Sequence, residues 1–89
     1  MEIIPTLFED VLLFRNQIFK DERGSFSEHF NQSQSKFFSQ KEIHFCQDNI
    51  AHSKKGVLRG LHYQLPPFSQ SKLVSVIEGS VLDVVVDIR

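Results

Sequence analysis

Short runs of alternating apolar and polar residues, separated by turn residues, organise this chain. Residues 11–19 are rich in β-branched and aromatic side chains and predict a strand. Asp21-Glu22-Arg23-Gly24 has the make-up of a turn, acidic at its start and glycine at its end. In residues 25–30, Phe26, Glu28 and Phe30 share one face, with Ser25, Ser27 and His29 on the other. The two runs predict a hairpin. Residues 33–41 are polar around the paired Phe37 and Phe38 and predict a short helix, with Ser33 or Ser35 as its N-cap. Residues 43–50 predict a strand with Ile43, Phe45, Gln47 and Asn49 in one register. Lys54-Lys55-Gly56 is a turn, and 57–65 is a strand closed by Pro66-Pro67. Residues 72–77, the turn Glu78-Gly79-Ser80 and residues 81–88 predict a second hairpin.

The sum is six strands and one helical segment, connected antiparallel. Short strands with regular turn signals make the fold all-β, a sandwich or barrel. Val84, Val86 and Ile88 share a face that needs a partner sheet. The strand pattern runs to Arg89 without a turn or cap, and a sheet edge there requires cover. Two architectures satisfy this pattern: a small open barrel of six strands, or the front portion of a longer jelly roll.

Composition narrows the class. The 89 residues bound the chain to one small domain with a thin margin of stability. Hydrophobic content of 40% and charged content of 24% are those of a soluble globular protein. The net charge of −1 hides a local bias: residues 52–72 contain His52, Lys54, Lys55, Arg59, His62 and Lys72 and no acid. That is an anion site in the making, and too weakly basic for nucleic acid. The single cysteine, Cys46, excludes an internal disulfide and fits a reducing cytoplasm. No signal-peptide pattern opens the chain, and no apolar stretch reaches the ~20 residues of a membrane span. Nine Phe and no Trp imply that most of the Phe are core.

The chemistry concentrates in Arg59-Gly60-Leu61-His62-Tyr63-Gln64, with Lys72 beyond the proline loop. A histidine in a strand is usually structural; His62 stands out for its company of Arg59 and Lys72. Histidine is the side chain that exchanges a proton near neutral pH. Arg59 has the planar fork that grips an oxyanion, set against the alternative of a solvated surface arginine. Lys72 is either a charged strand end or an ammonium placed to stabilise an enolate oxygen. Strict alternation sets Arg59 and His62 on opposite faces, so a shared site requires a bulge or sharp twist at Gly60. A metal does not suit His62-Tyr63-Gln64, which offers one good ligand and no neighbouring carboxylate. Gln47 and Asn49 point the same way and are able to hydrogen-bond one ligand, or simply face water.

Several motifs then stand in a telling order. They are Phe19, Asp21-Glu22-Arg23-Gly24-Ser25-Phe26-Ser27-Glu28, Gln47-Asp48-Asn49, Lys55 through Gln64, Lys72-Leu73-Val74, and Glu78-Gly79 followed by Asp83 through Arg89. This set resembles the front half of the dTDP-4-dehydrorhamnose 3,5-epimerase family, cupin-fold isomerases of dTDP-L-rhamnose synthesis. The resemblance implies an antiparallel jelly roll and a cytoplasmic homodimer that needs neither metal nor organic cofactor. It implies a dTDP-4-keto-6-deoxy sugar as substrate and epimerisation at C3 and C5. His62 matches the family's proton-abstracting base, and Lys72 the lysine near the C4 carbonyl. Arg59 matches a substrate-binding arginine. Arg23 and Glu28 match nucleotide and diphosphate contacts, Phe19 a residue at the base, and Gln47 and Asn49 sugar-site or phosphate-site residues.

The family's acid is a tyrosine, and its position and that of the histidine's acidic partner lie beyond residue 89. Tyr63, the one tyrosine here, neighbours His62 and faces the other side of a regular strand. The expectation is therefore a truncated chain, residues 1–89 being the N-terminal portion of one cupin-like domain. The alternatives are a related keto-sugar-nucleotide epimerase or isomerase, and a non-catalytic nucleotide-sugar-binding remnant.

Overall fold

A computed structural model describes residues 1–33 and 36–89. The chain divides into two units, Met1–His52 and Ser53–Arg89.

All the regular structure lies in the first unit. Strand β1 (Glu2–Pro5) pairs antiparallel with β2 (Leu12–Arg15), Ile3 opposite Phe14 and Ile4 opposite Leu13. At the open end of this ribbon Arg15 Nη1 stands 3.5 Å from Glu2 Oε2, an exposed cross-strand pair of opposite charge. Thr6 ties the connecting loop: its Oγ1 accepts from the Phe8 N–H at 3.2 Å and lies within reach of the Val11 carbonyl. Strand β3 (Phe19–Asp21) and β4 (Gly24–Phe26) form the second ribbon, Phe19 opposite Phe26. Gly24 has φ +137°, a conformation that side chains resist, so glycine closes this turn.

The first unit is held by phenylalanine. Phe38, in the short helix α1 (Lys36–Gln40), is 2% exposed. Its ring lies 5.4 Å from Phe14, 5.8 Å from Phe30, 5.7 Å from Phe37 and 5.2 Å from Phe45, centroid to centroid. The Phe38–Phe45 and Phe30–Phe45 pairs are edge-on, at 89° and 87°, the geometry that ring quadrupoles favour. Phe14 reaches the cluster because β2 alternates: Leu12 and Phe14 are half-buried while Leu13 and Arg15 are exposed. Five of the nine phenylalanines join this cluster, of which Phe38 is buried, Phe14, Phe37 and Phe45 are half-buried and Phe30 is exposed; Phe8, Phe19, Phe26 and Phe68 are exposed as well.

Helix α1 ends in a Schellman motif. The Ile43 N–H donates to the Phe38 carbonyl at 2.8 Å and the Glu42 N–H to the Ser39 carbonyl at 3.2 Å. Glu42 sits at the left-handed position with φ +54°, where glycine is the usual residue. Glu42→Gly is expected to stabilise the first unit by about 0.5–1 kcal/mol, relief of the Cβ clash outweighing the extra unfolded-state entropy. Urea unfolding of the two chains side by side measures it.

The expected fold is corrected in several places. Antiparallel strands with one short helix are as expected, but the described residues form four strands in two small sheets rather than six in one barrel-like array. The 11–19 run is broken at Asn16–Ile18 rather than continuous; there the Asn16 side-chain amide donates to the His29 carbonyl at 3.1 Å. Glu2–Pro5 is a strand that the pattern did not predict. Among the described residues the helix spans Lys36–Gln40, and the Ser33 N–H and hydroxyl donate to Asn31 Oδ1 in an Asx turn. Ser35 lies outside the described residues.

The runs 43–50, 57–65, 72–77 and 81–88 form no ladder. Their turns are nonetheless where the sequence places them. Val57 N–H donates to the Lys54 carbonyl at 3.3 Å, Phe68 N–H to the Leu65 carbonyl at 2.9 Å, and Gly79 takes φ +86° in the third turn. The difference is one of range. Turn residues act through their chain neighbours, whereas a strand exists only against a partner, and two strands alone are marginal in water. Every residue of the Ser53–Arg89 unit is exposed, Leu82 at 91% and Val84, Val86 and Ile88 among them. Val84, Val86 and Ile88 alternate in the sequence, and none of them is buried in this unit.

Candidate functional site

The β3–β4 hairpin brings two of the expected site residues together. A depression of about 500 Å³ is lined by Phe19, Arg23 and Phe26, with Asp21 and Ser25 beside them. The antiparallel register sets Phe19 and Phe26 directly opposite, so both rings stand on one face of the ribbon. Both are exposed, at 54% and 69%. Two solvated aromatic rings beside a guanidinium make a surface suited to a flat, partly apolar ligand with an anionic tail.

Arg23 does not hang free in that depression. Asp21 Oδ2 accepts from its Nε at 3.1 Å and its Nη2 at 2.6 Å, while Oδ1 accepts from its backbone N–H at 2.8 Å. The side-chain hydrogen bond from Arg23 holds the Asp21 carboxyl below its ordinary value of 3.8, and the backbone bond adds to that. Two residues past the hairpin, Glu28 Oε2 accepts from the Asn31 amide at 3.3 Å.

Gln47 and Asn49 meet as the pattern predicts. Gln47 Nε2 donates to Asn49 Oδ1 at 3.2 Å, both side chains exposed. That bond leaves the Gln47 carbonyl and the Asn49 amide as an acceptor and a donor side by side.

In the second unit, Arg59 Nε donates to Ser53 Oγ at 2.7 Å. Between Arg59 and His62 lies Gly60, in a segment that forms no strand. Its φ is +120°, and a side chain added there would meet the His62 ring, 3.5 Å away at Nδ1. Gly60→Ala is expected to cost roughly 1–3 kcal/mol locally. With no buried side chain in the unit to hold the backbone, the segment yields and His62 turns relative to Arg59. A change in the His62 ring proton shifts in the NMR spectrum, with the shifts of the first unit unmoved, is the expected reading. His62 and Lys72 are exposed, and neither makes an ion pair or side-chain hydrogen bond among the described residues. Among the described residues no three His, Cys, Asp or Glu side chains gather as a metal site.

Three residues beside the expected ones were not singled out by the sequence. Asp21 and Ser53 hold the two arginines, and Phe26 faces Phe19. Asp21 was findable: an acid two residues before an arginine inside a turn is placed to cap the backbone and hold the side chain at once. Ser53, six residues from Arg59, carries no such signal.

Comparison with known proteins gives the family. The family described as dTDP-4-dehydrorhamnose 3,5-epimerase matches residues 5–89. A dTDP-4-dehydrorhamnose 3,5-epimerase of Shigella flexneri is 52% identical over 89 residues, 100% of this chain and 49% of its own length. The same-named protein of Escherichia coli K12 is 47% identical over all of this chain and 48% of its own. That of the archaeon Methanothermobacter thermautotrophicus is 42% identical over 97% of this chain and 45% of its own. The chain spans about half the length of the curated relatives it matches. No solved structure matches it. With the match running through the hairpin of Arg23, the Gln47–Asn49 pair and the Arg59–His62 segment, the chain belongs to the dTDP-4-dehydrorhamnose 3,5-epimerase family.

Proposed function

We propose that these residues are the base-bearing half of a dTDP-4-dehydrorhamnose 3,5-epimerase, the N-terminal portion of a cupin jelly roll. The observation that carries this is the family match over residues 5–89, which takes in every motif named above. In this reading the alternating runs of residues 43–88 are barrel strands, paired by the half of the family's length that the chain does not span. The protein works in the cytoplasm as a homodimer, without metal or organic cofactor.

The substrate is a dTDP-4-keto-6-deoxy sugar. Its C3 and C5 flank the C4 ketone and are therefore carbon acids. His62 takes the proton from one of them, and the electron pair of the C–H bond moves onto the C4 oxygen. Lys72 stabilises the resulting enolate with its ammonium. A proton returned to the opposite face inverts the centre, and His62 gives up its proton to water. Phe19 lies at the thymine, Arg23 and Glu28 at the nucleotide and diphosphate, and Arg59, Gln47 and Asn49 at the sugar and phosphate. The acid is outside these 89 residues, since Tyr63 adjoins the base. The test is incorporation of solvent deuterium at C3 and C5 of the substrate.

A further inference from the structure

We propose that Asp21 is a positioning residue for nucleotide binding, holding the Arg23 guanidinium in the orientation that receives the diphosphate. This rests on the reading of Arg23 as a nucleotide contact. A single carboxylate does three things within one turn. Oδ1 fixes the backbone of Arg23 at 2.8 Å, and Oδ2 takes Nε at 3.1 Å and Nη2 at 2.6 Å. The Arg23 side chain is otherwise open, 89% exposed, and the described residues give it no packing wall. An arginine in that setting samples many rotamers, and a ligand must stop that motion when it binds. Asp21 stops it beforehand. The bidentate contact uses the Nε edge, and both Nη1 hydrogens and the second Nη2 hydrogen remain to meet an oxyanion. The depression shared with Phe19 and Phe26 puts that free edge beside two rings. The device is local, and the chain uses it twice. Asp87 holds Arg89 through the same three donors, its N–H, Nε and Nη2, and the Asp87 carboxyl falls to about 2.

The sign of the effect separates positioning from simple charge. Asp21 places a negative charge beside an anion site, so by Coulomb's law its removal strengthens the binding of dTDP. Positioning predicts the reverse. With the full chain and dTDP as the probe, Asp21→Ala is expected to weaken binding about 5–10-fold, as is appropriate to loss of preorganisation at one side chain. Asp21→Asn keeps an acceptor for the backbone N–H and is expected to preserve the hairpin while still weakening dTDP several-fold. The Arg23 Nε–H resonance is expected to be sharp in the parent chain and to broaden in both variants. In an Arg23→Ala background, Asp21→Asn is expected to change nothing further. Binding that is unchanged or tighter in Asp21→Asn, with Arg23→Ala weakened, overturns the positioning role and leaves the nucleotide reading standing. Binding unaffected by Arg23→Ala overturns both.

Discussion

Phe38→Ala is expected to unfold the first unit. Removing a buried phenylalanine costs about 3–5 kcal/mol in lost transfer energy and the cavity left behind. Phe38 is the one buried apolar residue among the described residues, and four other rings pack against it. Ring pairs add about 0.5–1.5 kcal/mol each beyond their buried area, and four of them share this ring. Against this stands a unit of Met1–His52, for which roughly 0.05–0.15 kcal/mol per residue is the ordinary total. The loss is comparable with the whole margin. The expected reading is disappearance of the ring-current-shifted resonances of the parent spectrum. Phe68→Ala, at a residue 72% exposed, is expected to shift stability by no more than about 0.5 kcal/mol. A Phe38→Ala chain that keeps the dispersed spectrum would show that the cluster is not what holds the unit.

His62→Ala is expected to abolish proton exchange at the substrate. A positioned general base contributes about 10²–10⁴-fold to such a step, and the proposed mechanism gives His62 the first bond change. The chemistry also needs the base to be oriented, and among the described residues His62 has no hydrogen-bonding partner. The experiment therefore joins this chain to the part of the Shigella flexneri relative that it does not cover. The joined protein is expected to epimerise the dTDP-4-keto-6-deoxy sugar. His62→Ala in it is expected to lower the rate by about 10²-fold or more, with dTDP affinity retained. Loss of rate together with loss of dTDP binding would instead mark His62 as a structural residue.

What the sequence revealed, and what it hid, divides by range of interaction. The Asp21–Gly24 turn, the turns before Val57 and Phe68, and the Gly79 conformation were all legible, because glycine, proline and short polar side chains act on their own neighbours. A bulge or twist at Gly60 is asked for only if Arg59 and His62 serve one site; the residue has φ +120° in a segment that forms no strand. The pairing of β1 with β2 was not legible, since Glu2–Pro5 is a short run whose partner lies across a loop tied by Thr6. The strands expected over residues 43–88 form no ladder, for the same reason in reverse. Residues 81–88 have the alternation of a strand, but alternation names the face to be buried and not the residues that bury it. In the site, residue types and spacing singled out Arg59, while Arg23 entered through the family resemblance. Of the partners that hold them, Asp21 was findable from its place in the turn, and Ser53 emerges only from side-chain geometry.

The most direct measurement follows deuterium. The dTDP-4-keto-6-deoxy sugar is incubated in deuterated water with the joined protein, and C3 and C5 are read by NMR. The account predicts deuterium at both carbons, and none with His62→Ala. A folded joined protein that binds dTDP yet leaves both carbons fully protonated would contradict it, and would leave this half of the family a nucleotide-sugar-binding module.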